Sequence, residues 1–303
     1  MPYLFFKKLL CENIKREDRV SRIVYINGKF VNEAEAKISV FDRGFLFADA
    51  VYEVSSVVQG KLVDNTRHLL RLKRSLSELN MSSPKSTEQI KQIQTALIQK
   101  NRLQEGIVYL QITRGSADRD FVYDNTIKPS IVMFTQSMSI INNPKAQKGI
   151  SIITTADIRW GRRDIKTTAL LASSMAKTYA KSMGADDAWM IEEGFITEGS
   201  SSNAYIIKQD GTLITRQLGT EILAGVTRKA ILSLAKKEAI TIEERPFSLD
   251  EALNAAEVFS SSASTFIMPV ISINGHTIGN GQPGELTRKI RQSYIQTALK
   301  SLQ

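Results

Sequence analysis

The chain has 303 residues, of which 42% are hydrophobic and 23% are charged, the ordinary composition of a soluble globular protein long enough for two domains. No apolar run approaches the roughly 20 residues of a membrane span, and two histidines and one cysteine disfavour a metal site, an internal disulfide and a histidine-based triad. The net charge of +9 is dispersed among acidic residues, which disfavours nucleic-acid binding, and the single Cys11 favours a reducing cytoplasm.

The first residues divide into an arm and an organised segment. Residues 1–20 contain only a short apolar stretch, Leu4-Phe5-Phe6, so a signal peptide is disfavoured, and we predict a loosely attached arm or a start site placed too early. Organised sequence begins near Arg22. The strand-like runs 23–26 and 29–31 flank an Asn-Gly pair, the strongest short turn signal, and therefore predict a hairpin.

The rest of the first half mixes strands and helices. Residues 51–58, 107–113 and 131–134 predict strands, and Ser86 with Gln89 forms a capping box that begins a helix. Another helix is predicted from one broad apolar face, made of Leu69, Leu70, Leu72, Leu76 and Leu79.

The second half has the same mixed character. It lacks strict βαβ punctuation and a Gly-x-Gly-x-x-Gly turn, which disfavours a doubly wound dinucleotide-binding domain. The predicted elements are a strand at 152–154, a helix from about 170 to Gly184, strands at 188–191 and 204–207, a helix at about 225–239, a hairpin at Asn274-Gly275 and a helix at about 285–301.

The order of these elements predicts an α+β fold of two domains. Residues 139–149 are the best linker candidate, because they contain Asn142-Asn143-Pro144 between two predicted strands. We therefore predict a smaller domain at 22–140 and a larger one, which binds the cofactor, at 149–303. A ligand is expected in the cleft between them, a preferred place for cofactors.

One lysine and one carboxylate suggest the chemistry. Lys166 ends the run Asp164-Ile165-Lys166, and Glu198 stands in Thr197-Glu198-Gly199-Ser200-Ser201-Ser202-Asn203. A lysine amine forms a Schiff base with an aldehyde such as that of pyridoxal 5'-phosphate (PLP). A carboxylate beside the pyridine nitrogen keeps that nitrogen protonated, so that the ring withdraws electrons. Either residue alone is ordinarily a solvated surface charge, so the surrounding motifs decide.

Eight motifs in order carry a resemblance that runs from about residue 22 to residue 295. On these motifs the chain resembles the fold-type IV PLP-dependent aminotransferases, and most closely the D-amino-acid (D-alanine) aminotransferases among them. The resemblance implies an α+β two-domain fold, PLP as the cofactor and a homodimer with sites near the interface. The motifs are Phe41-Asp42-Arg43-Gly44, Val51-Tyr52-Glu53, His68-Leu69-Leu70-Arg71-Leu72, Thr113-Arg114-Gly115, Asp157-Ile158-Arg159-Trp160, Asp164-Ile165-Lys166, the run 197–203, and Leu223-Ala224-Gly225-Val226-Thr227-Arg228.

The resemblance also implies the residues of the site. Lys166 becomes the Schiff-base lysine and moves the substrate proton, Glu198 pairs with the pyridine nitrogen, and Tyr52 lies near the Schiff base and the substrate. Arg71 binds the cofactor phosphate, since a guanidinium is planar and always charged. The further implied cofactor contacts are Ser201, Ser202, Leu223, Val226, Thr227, Ser262 and Ala263.

The chain departs from the family pattern at two places. Ala263 stands where the D-amino-acid enzymes carry a threonine, so a hydroxyl is lost, and Ser262 or Ser264 is the candidate to replace it. In those enzymes an Arg-x-His pair from the neighbouring subunit holds the substrate α-carboxylate. Here Arg119 keeps the arginine, but Phe121 replaces the histidine, which puts the choice between D- and L-substrates in doubt.

The resemblance predicts a D-amino-acid transaminase that acts on amino acids and 2-oxo acids. It converts D-alanine and 2-oxoglutarate to pyruvate and D-glutamate by a ping-pong mechanism. Two alternatives share the scaffold: a branched-chain L-amino-acid aminotransferase and a 4-amino-4-deoxychorismate lyase, which eliminates pyruvate. A non-catalytic or nucleic-acid-binding role is the fourth reading, and the set of Lys166, Glu198 and Arg71 argues against it.

Overall fold

The computed structural model describes residues 21–302, and the arm predicted at 1–20, with Cys11, lies outside them. The first half of the chain forms an antiparallel sheet in the order β2-β1-β6-β5-β3-β4. The register is set by side-chain alternation, because a slip of one residue would turn every buried side chain to the other face. Its strands are β1 (Ile23–Ile26), β2 (Lys29–Asn32), β3 (Ala50–Val58), β4 (Lys61–Leu62), β5 (Glu105–Thr113) and β6 (Ser130–Ser137).

The second half forms a larger, mixed sheet in the order β12-β11-β10-β13-β14-β7-β8-β9, with β15 paired to β14. Strand β7 pairs in parallel with both β14 and β8, whereas β10 and β13 form antiparallel pairs. Its strands are β7 (Ile150–Ala156), β8 (Asp187–Glu192), β9 (Phe195–Gly199), β10 (Asn203–Ile207), β11 (Leu213–Thr215), β12 (Ile242–Glu244), β13 (Glu257–Ser262), β14 (Phe266–Ile273) and β15 (His276–Thr277).

The helices cover the two sheets. Helix α2 packs on β3, α5 packs on β8, and α6 and α8 pack on each other and on the second sheet. The helices are α1 (Arg43–Phe47), α2 (Asn65–Glu78), α3 (Thr87–Lys100), α4 (Pro144–Lys148), α5 (Leu171–Ser182), α6 (Val226–Lys237), α7 (Leu249–Leu253) and α8 (Glu285–Lys300). No helix among residues 21–302 is long and apolar enough to cross a membrane.

The local signals of the sequence give the expected elements. Asn27 and Gly28 take the positive φ values of 46° and 102° that the tight turn between β1 and β2 requires. The Ser86 hydroxyl accepts from the Gln89 N–H and the Gln89 side chain returns the bond, which begins α3. Gly184, with φ of 78°, follows the end of α5. These predictions, and an α+β fold, are confirmed.

One predicted core residue is wrong. Leu69, Leu72 and Leu76 are buried in the core of the first sheet, but Leu70 is 63% exposed. Successive residues of a helix lie about 100° apart, so Leu70 falls outside the stripe that the other leucines form.

The predicted linker at 139–149 contains α4 and is held by buried hydrogen bonds. Arg291 of α8 donates to the backbone oxygens of Ile140 and Ile141, at 2.7 and 3.0 Å, and to the oxygen of Ile267. Burial lowers the pKa of Arg291 to about 10. The segment therefore packs on the second sheet, and the domain boundaries at 140 and 149 stay a prediction.

The two halves meet where β3 faces the segment between β7 and α5. Val51 forms an isolated bridge with Thr167, and the Tyr52 N–H donates to the Lys166 oxygen at 3.0 Å. The position of Lys166 beside Tyr52 is therefore fixed by backbone hydrogen bonds and does not depend on the conformations of the two side chains.

Candidate active site

One cavity between the two sheets brings together nearly all of the predicted site residues. Its lining contains side chains from β3 and α2 on one side and from the second sheet and α6 on the other. Arg119 is the predicted site residue that does not line it. The predicted residues along the cavity are Tyr52, Arg71, Lys166, Glu198, Ser201, Ser202, Leu223, Val226, Thr227, Ser262 and Ala263.

Lys166 presents its amine into this cavity without an ionic partner. Its backbone is fixed by the bond from Tyr52 and by its own N–H, which donates to the Ser75 hydroxyl at 3.3 Å. Its Nζ lies 4.1 Å from the centre of the Tyr52 ring, and within the described residues no hydrogen bond or ion pair to Nζ is present. An amine that faces a cavity and is free of carboxylate partners is suited to act as a nucleophile.

Glu198 is a buried carboxylate in β9. Arg159 Nη1 donates to Oε1 at 2.6 Å, and Asn203 Nδ2 donates to Oε2 at 2.9 Å. Burial raises the pKa of Glu198, although Arg159 and the Leu223 N–H oppose that shift. A further positive partner in the cavity would therefore stabilise the ionised form.

Arg159 is shared between two carboxylates. Asp157 binds its other edge, with Nε to Oδ1 at 3.0 Å and Nη2 to Oδ2 at 2.7 Å, and Thr197 donates to Asp157 at 2.6 Å. Because Asp157 offsets the guanidinium charge, the group of Asp157, Arg159 and Glu198 keeps one net negative charge facing the cavity. That charge is what a protonated ring nitrogen needs.

Arg71 is held in the cavity wall by a second buried ionic network. Glu53 accepts from Arg71 Nε and Nη2 at 2.7 and 2.8 Å, and His68 Nδ1 lies 2.8 Å from Glu53 Oε2. Burial lowers the pKa of His68 despite the carboxylate, so at neutral pH the neutral ring donates Nδ1–H. Arg71 Nη1 reaches the Ala224 oxygen at 3.1 Å, which places the guanidinium beside the start of α6.

The start of α6 and the turn after β13 complete an anion-binding surface. Gly225 precedes α6 without a side-chain cap, so the first N–H groups, those of Val226 and Thr227, remain available to an anion. A Cβ on Gly225 would lie 2.1 Å from Asn203 Oδ1, so only glycine permits this close approach. In the turn, the Ser262 hydroxyl lies 3.3 Å from that of Ser264, and the Ala263 oxygen accepts from Ser56.

These residues fit PLP. The cavity offers an unpaired amine at Lys166, a buried carboxylate at Glu198 and a cation beside a helix N-terminus at Arg71, which match the aldehyde, ring nitrogen and phosphate of the cofactor. The Ser202 hydroxyl is buried on the cavity wall with no hydrogen-bond partner in the described structure. A buried polar atom without a partner is unfavourable, so this hydroxyl fits a ligand group.

Sequence reasoning missed the residues that support the site. Each of them stands inside a quoted motif, beside a residue whose role the motif suggested, and that position is the signal that could have found them. They are Glu53, His68, Asp157, Arg159 and Asn203.

Arg119 lies in an exposed segment, residues 116–126, which we term the Arg119 segment. Its guanidinium lies 5.5 Å from the ring centres of both Phe47 and Phe121. The structure therefore does not bring Arg119 to the cavity of its own chain.

Comparisons with known proteins agree with this geometry. A family model described as amino-transferase class IV matches residues 50–273. The D-alanine aminotransferase of Staphylococcus aureus strain MSSA476 is 37% identical over 272 residues, which cover 89% of this chain and 96% of that protein. The D-alanine aminotransferase of Bacillus licheniformis is 38% identical over 280 residues, which cover 92% and 97%.

Solved structures share the fold. The branched-chain amino acid aminotransferase of Escherichia coli superposes with a TM-score of 0.86 at 22% identity, covering 92% of this chain and 95% of that chain. The branched-chain aminotransferase of Thermoproteus uzoniensis gives a TM-score of 0.85 at 24% identity, with the same coverage. At this identity the likeness extends to architecture alone.

Proposed function

The chain belongs to the class IV aminotransferases, which use PLP, and from this premise we propose that it is a D-amino-acid transaminase. It converts D-alanine and 2-oxoglutarate to pyruvate and D-glutamate in two half-reactions of a ping-pong cycle. The observation that carries the proposal is the 37–38% identity to D-alanine aminotransferases over about nine-tenths of the chain. The predicted family, fold class and cofactor are confirmed, whereas the substrates are the proposal.

Lys166 acts as the acid and base of the reaction. Bound PLP supplies an aldehyde that takes up the amino group and a ring that withdraws electrons from the substrate Cα. With the cofactor bound, the Lys166 amine would hold it covalently until a substrate amine takes its place, and the freed Nζ would then accept the Cα proton. The Tyr52 ring, 4.1 Å away, holds the amine over the cavity and shields it from water.

The Glu198 carboxylate would keep the nitrogen of the cofactor ring protonated. Its carboxylate is fixed by Arg159 and Asn203, so it does not need to reorganise when charge develops on the ring. Burial strengthens this interaction, because a carboxylate that is poorly solvated gains more from a cationic partner.

The phosphate is bound by charge and by backbone N–H groups. Arg71 supplies a guanidinium that Glu53 has already oriented, and the N-terminus of α6 supplies the N–H groups of Val226 and Thr227. At the turn after β13, Ser262 contributes its hydroxyl and Ala263 only its N–H.

The remaining cavity residues would contact the side groups of the cofactor. Ser201 and Ser202 provide hydroxyl groups on the cavity wall, and Leu223 would pack against one face of the ring. These contacts would orient the ring between Lys166 and Glu198.

Arg119 binds the substrate carboxylate of the neighbouring subunit in a homodimer. Arg119 does not line the cavity of its own chain, and the neighbouring Phe121 is 77% exposed. A second exposed apolar surface follows α5, where Leu171, Met175, Tyr179 and Met183 recur about once per turn and are each more than half exposed. A second copy of the chain would bury such surfaces.

A half-reaction tests the substrate. Purified holoenzyme is mixed with D-alanine, L-alanine, L-leucine or 4-amino-4-deoxychorismate, and the visible cofactor absorbance is followed. Loss of that absorbance with D-alanine, but not with L-leucine, supports the proposal. Conversion by L-leucine alone establishes the branched-chain alternative, and pyruvate release from aminodeoxychorismate with the absorbance retained establishes a lyase.

Hybrid dimers test the position of Arg119. Arg119→Ala and Lys166→Ala subunits are each nearly inactive, but a dimer containing one of each has one complete site if Arg119 acts across the interface. Mixing and refolding equal amounts should then restore up to about a quarter of the wild-type activity. Mixtures as inactive as the separate variants would place Arg119 outside the partner's site.

A further inference from the structure

Two buried arginines share one carboxylate beside the Arg119 segment. Arg43 Nε and Arg114 Nε both donate to Asp49 Oδ2, at 2.9 and 2.7 Å. The side chains of Arg43 and Arg114 are about 4–5% exposed and that of Asp49 is 11% exposed. The cluster therefore carries a net positive charge in a place where cations are ordinarily paired one to one.

Both arginines also reach the Arg119 segment. Arg43 Nη1 donates to the backbone oxygen of Asp120, the residue after Arg119, at 2.6 Å. The guanidinium of Arg114 lies 3.7 Å from the centre of the Tyr123 ring. A third contact joins the rings of Phe47 and Phe121, edge to face, at 5.6 Å. An exposed segment is thus tied to the body of the protein by three residues that directly follow Arg119.

The anchors of this arrangement are themselves rigid. Asp42 caps α1 by accepting from the Gly44 N–H at 2.8 Å, and its other oxygen accepts from Thr113 at 2.9 Å. A Cβ on Gly44 would lie 2.4 Å from Thr113 Cγ2, so α1 packs against the end of β5 more closely than a residue with a side chain would allow. The motifs Phe41-Asp42-Arg43-Gly44 and Thr113-Arg114-Gly115, to which the proposed reaction gives no part, hold this corner together.

We propose that Arg43 and Arg114, bridged by Asp49, form a clasp that positions Arg119 to receive the substrate α-carboxylate. The inference rests on the proposed function of Arg119. An arginine on a free segment would lose conformational freedom each time a substrate bound, whereas the clasp holds the backbone oxygen of Asp120 and the ring of Tyr123 beforehand. Arg43 and Arg114 are therefore positioning residues, and they act on substrate binding and not on the chemical step.

One arginine of the clasp can be replaced while the Asp49 carboxylate keeps the other as its partner. Arg43→Met removes the bond to Asp120 but leaves Asp49 bound to Arg114, so the buried carboxylate is not orphaned. We expect KM for the amino donor and for the oxo acid to rise by a similar factor, about tenfold, with kcat within about threefold of wild type. Arg43→Lys keeps the positive charge but lacks the several N–H donors of the planar guanidinium, so its KM should rise less than that of Arg43→Met.

Hydrogen exchange of the enzyme provides a readout that does not depend on turnover. Backbone amides of residues 116–126 should exchange faster in Arg43→Met than in wild type, by about tenfold, while those of β5 stay protected. Arg245→Met is the control, because Arg245, like Arg43, bonds carboxylate and backbone oxygens but lies in the second half of the chain. It should change neither the exchange of this segment nor KM.

The outcomes separate this inference from the proposed function. The wild-type half-reaction with D-alanine tests the substrate, and the KM comparison uses whichever amino acid the wild type converts, since each carries an α-carboxylate. Unchanged exchange in Arg43→Met would overturn the clasp. Faster exchange with unchanged KM would overturn its part in substrate binding, as would an equal loss in kcat. A rise in KM without a comparable fall in kcat, partly reversed in Arg43→Lys, supports the inference.

Discussion

The PLP cavity and the Arg119 segment place charged groups in opposite ways. In the cavity, Glu198 and Arg71 are buried and each has a partner in the same chain, Arg159 and Glu53 respectively. Arg119 is exposed, and among residues 21–302 its guanidinium lies near two aromatic rings and has no ion pair. On the proposed function, cofactor binding is organised within one folded chain, whereas carboxylate recognition depends on a segment whose proposed ligand lies in another subunit. The proposal therefore assigns the chemistry to the core and the substrate preference to a surface loop.

The largest expected effect falls on the cavity side of this comparison. Lys166→Ala removes the amine that links the cofactor and moves the proton, so turnover should fall by about 10⁴-fold. The visible absorbance of lysine-linked PLP should disappear with it. Lys181→Ala, which removes an exposed lysine of α5, serves as the control and should keep both properties. Steady-state transamination retained in Lys166→Ala would contradict the proposed site.

A smaller effect is expected from the network behind Arg71. Burial by itself raises the pKa of Glu53, but the Arg71 charge and the hydrogen bonds from Arg71 and His68 outweigh it and lower the pKa to about 2. From the ordinary value of 4.5 this corresponds to roughly 3 kcal/mol of stability at neutral pH. The unfolded carboxyl binds more protons between these values. This stability is therefore present above about pH 4.5 and is lost as the pH falls towards 2.

Glu53→Gln should remove that contribution. We expect a free energy of unfolding lower by about 3 kcal/mol at neutral pH, a weaker dependence on pH between about 4.5 and 2, and PLP affinity reduced about tenfold because Arg71 loses its orienting partner. Denaturant unfolding over a pH series and cofactor titration measure both quantities. The exposed Glu35→Gln should stay within about 0.5 kcal/mol of wild type. Equal acid sensitivity in both variants would refute the assignment.

The smallest effect concerns the Arg119 segment. Phe121 is exposed and meets Phe47 only at its ring edge, so Phe121→His should leave the fold intact and add a donor near the proposed carboxylate. KM for D-alanine should fall by about threefold, the effect of one modest hydrogen bond. Phe121→Leu, which adds no donor, is the matched comparison. If the histidine and leucine variants have the same KM, Phe121 does not face the substrate carboxylate.

Much of the fold follows from local chemistry. The Asn27-Gly28 turn, the Ser86 capping box and the stop at Gly184 each depend on residues close in sequence, and each is confirmed. The prediction failed at Leu70, because this leucine was assigned to the buried face of α2 without regard to its angular position on the helix. No element was predicted at β9, which becomes a strand because β8 pairs with it.

The sequence determined the family and the cofactor and predicted the residues that line the cavity, because motifs and short-range turn and cap signals are local properties of the chain. Only the tertiary structure decided how the charges are partnered. Glu53 is brought to Arg71, and Arg159 to Glu198, by packing between segments far apart in the sequence. The tertiary structure also places Arg119 outside the cavity of its own chain and joins Arg43 to Arg114 through Asp49. Long-range burial decides such pairs, because a charge removed from water must find its partner wherever the fold brings one.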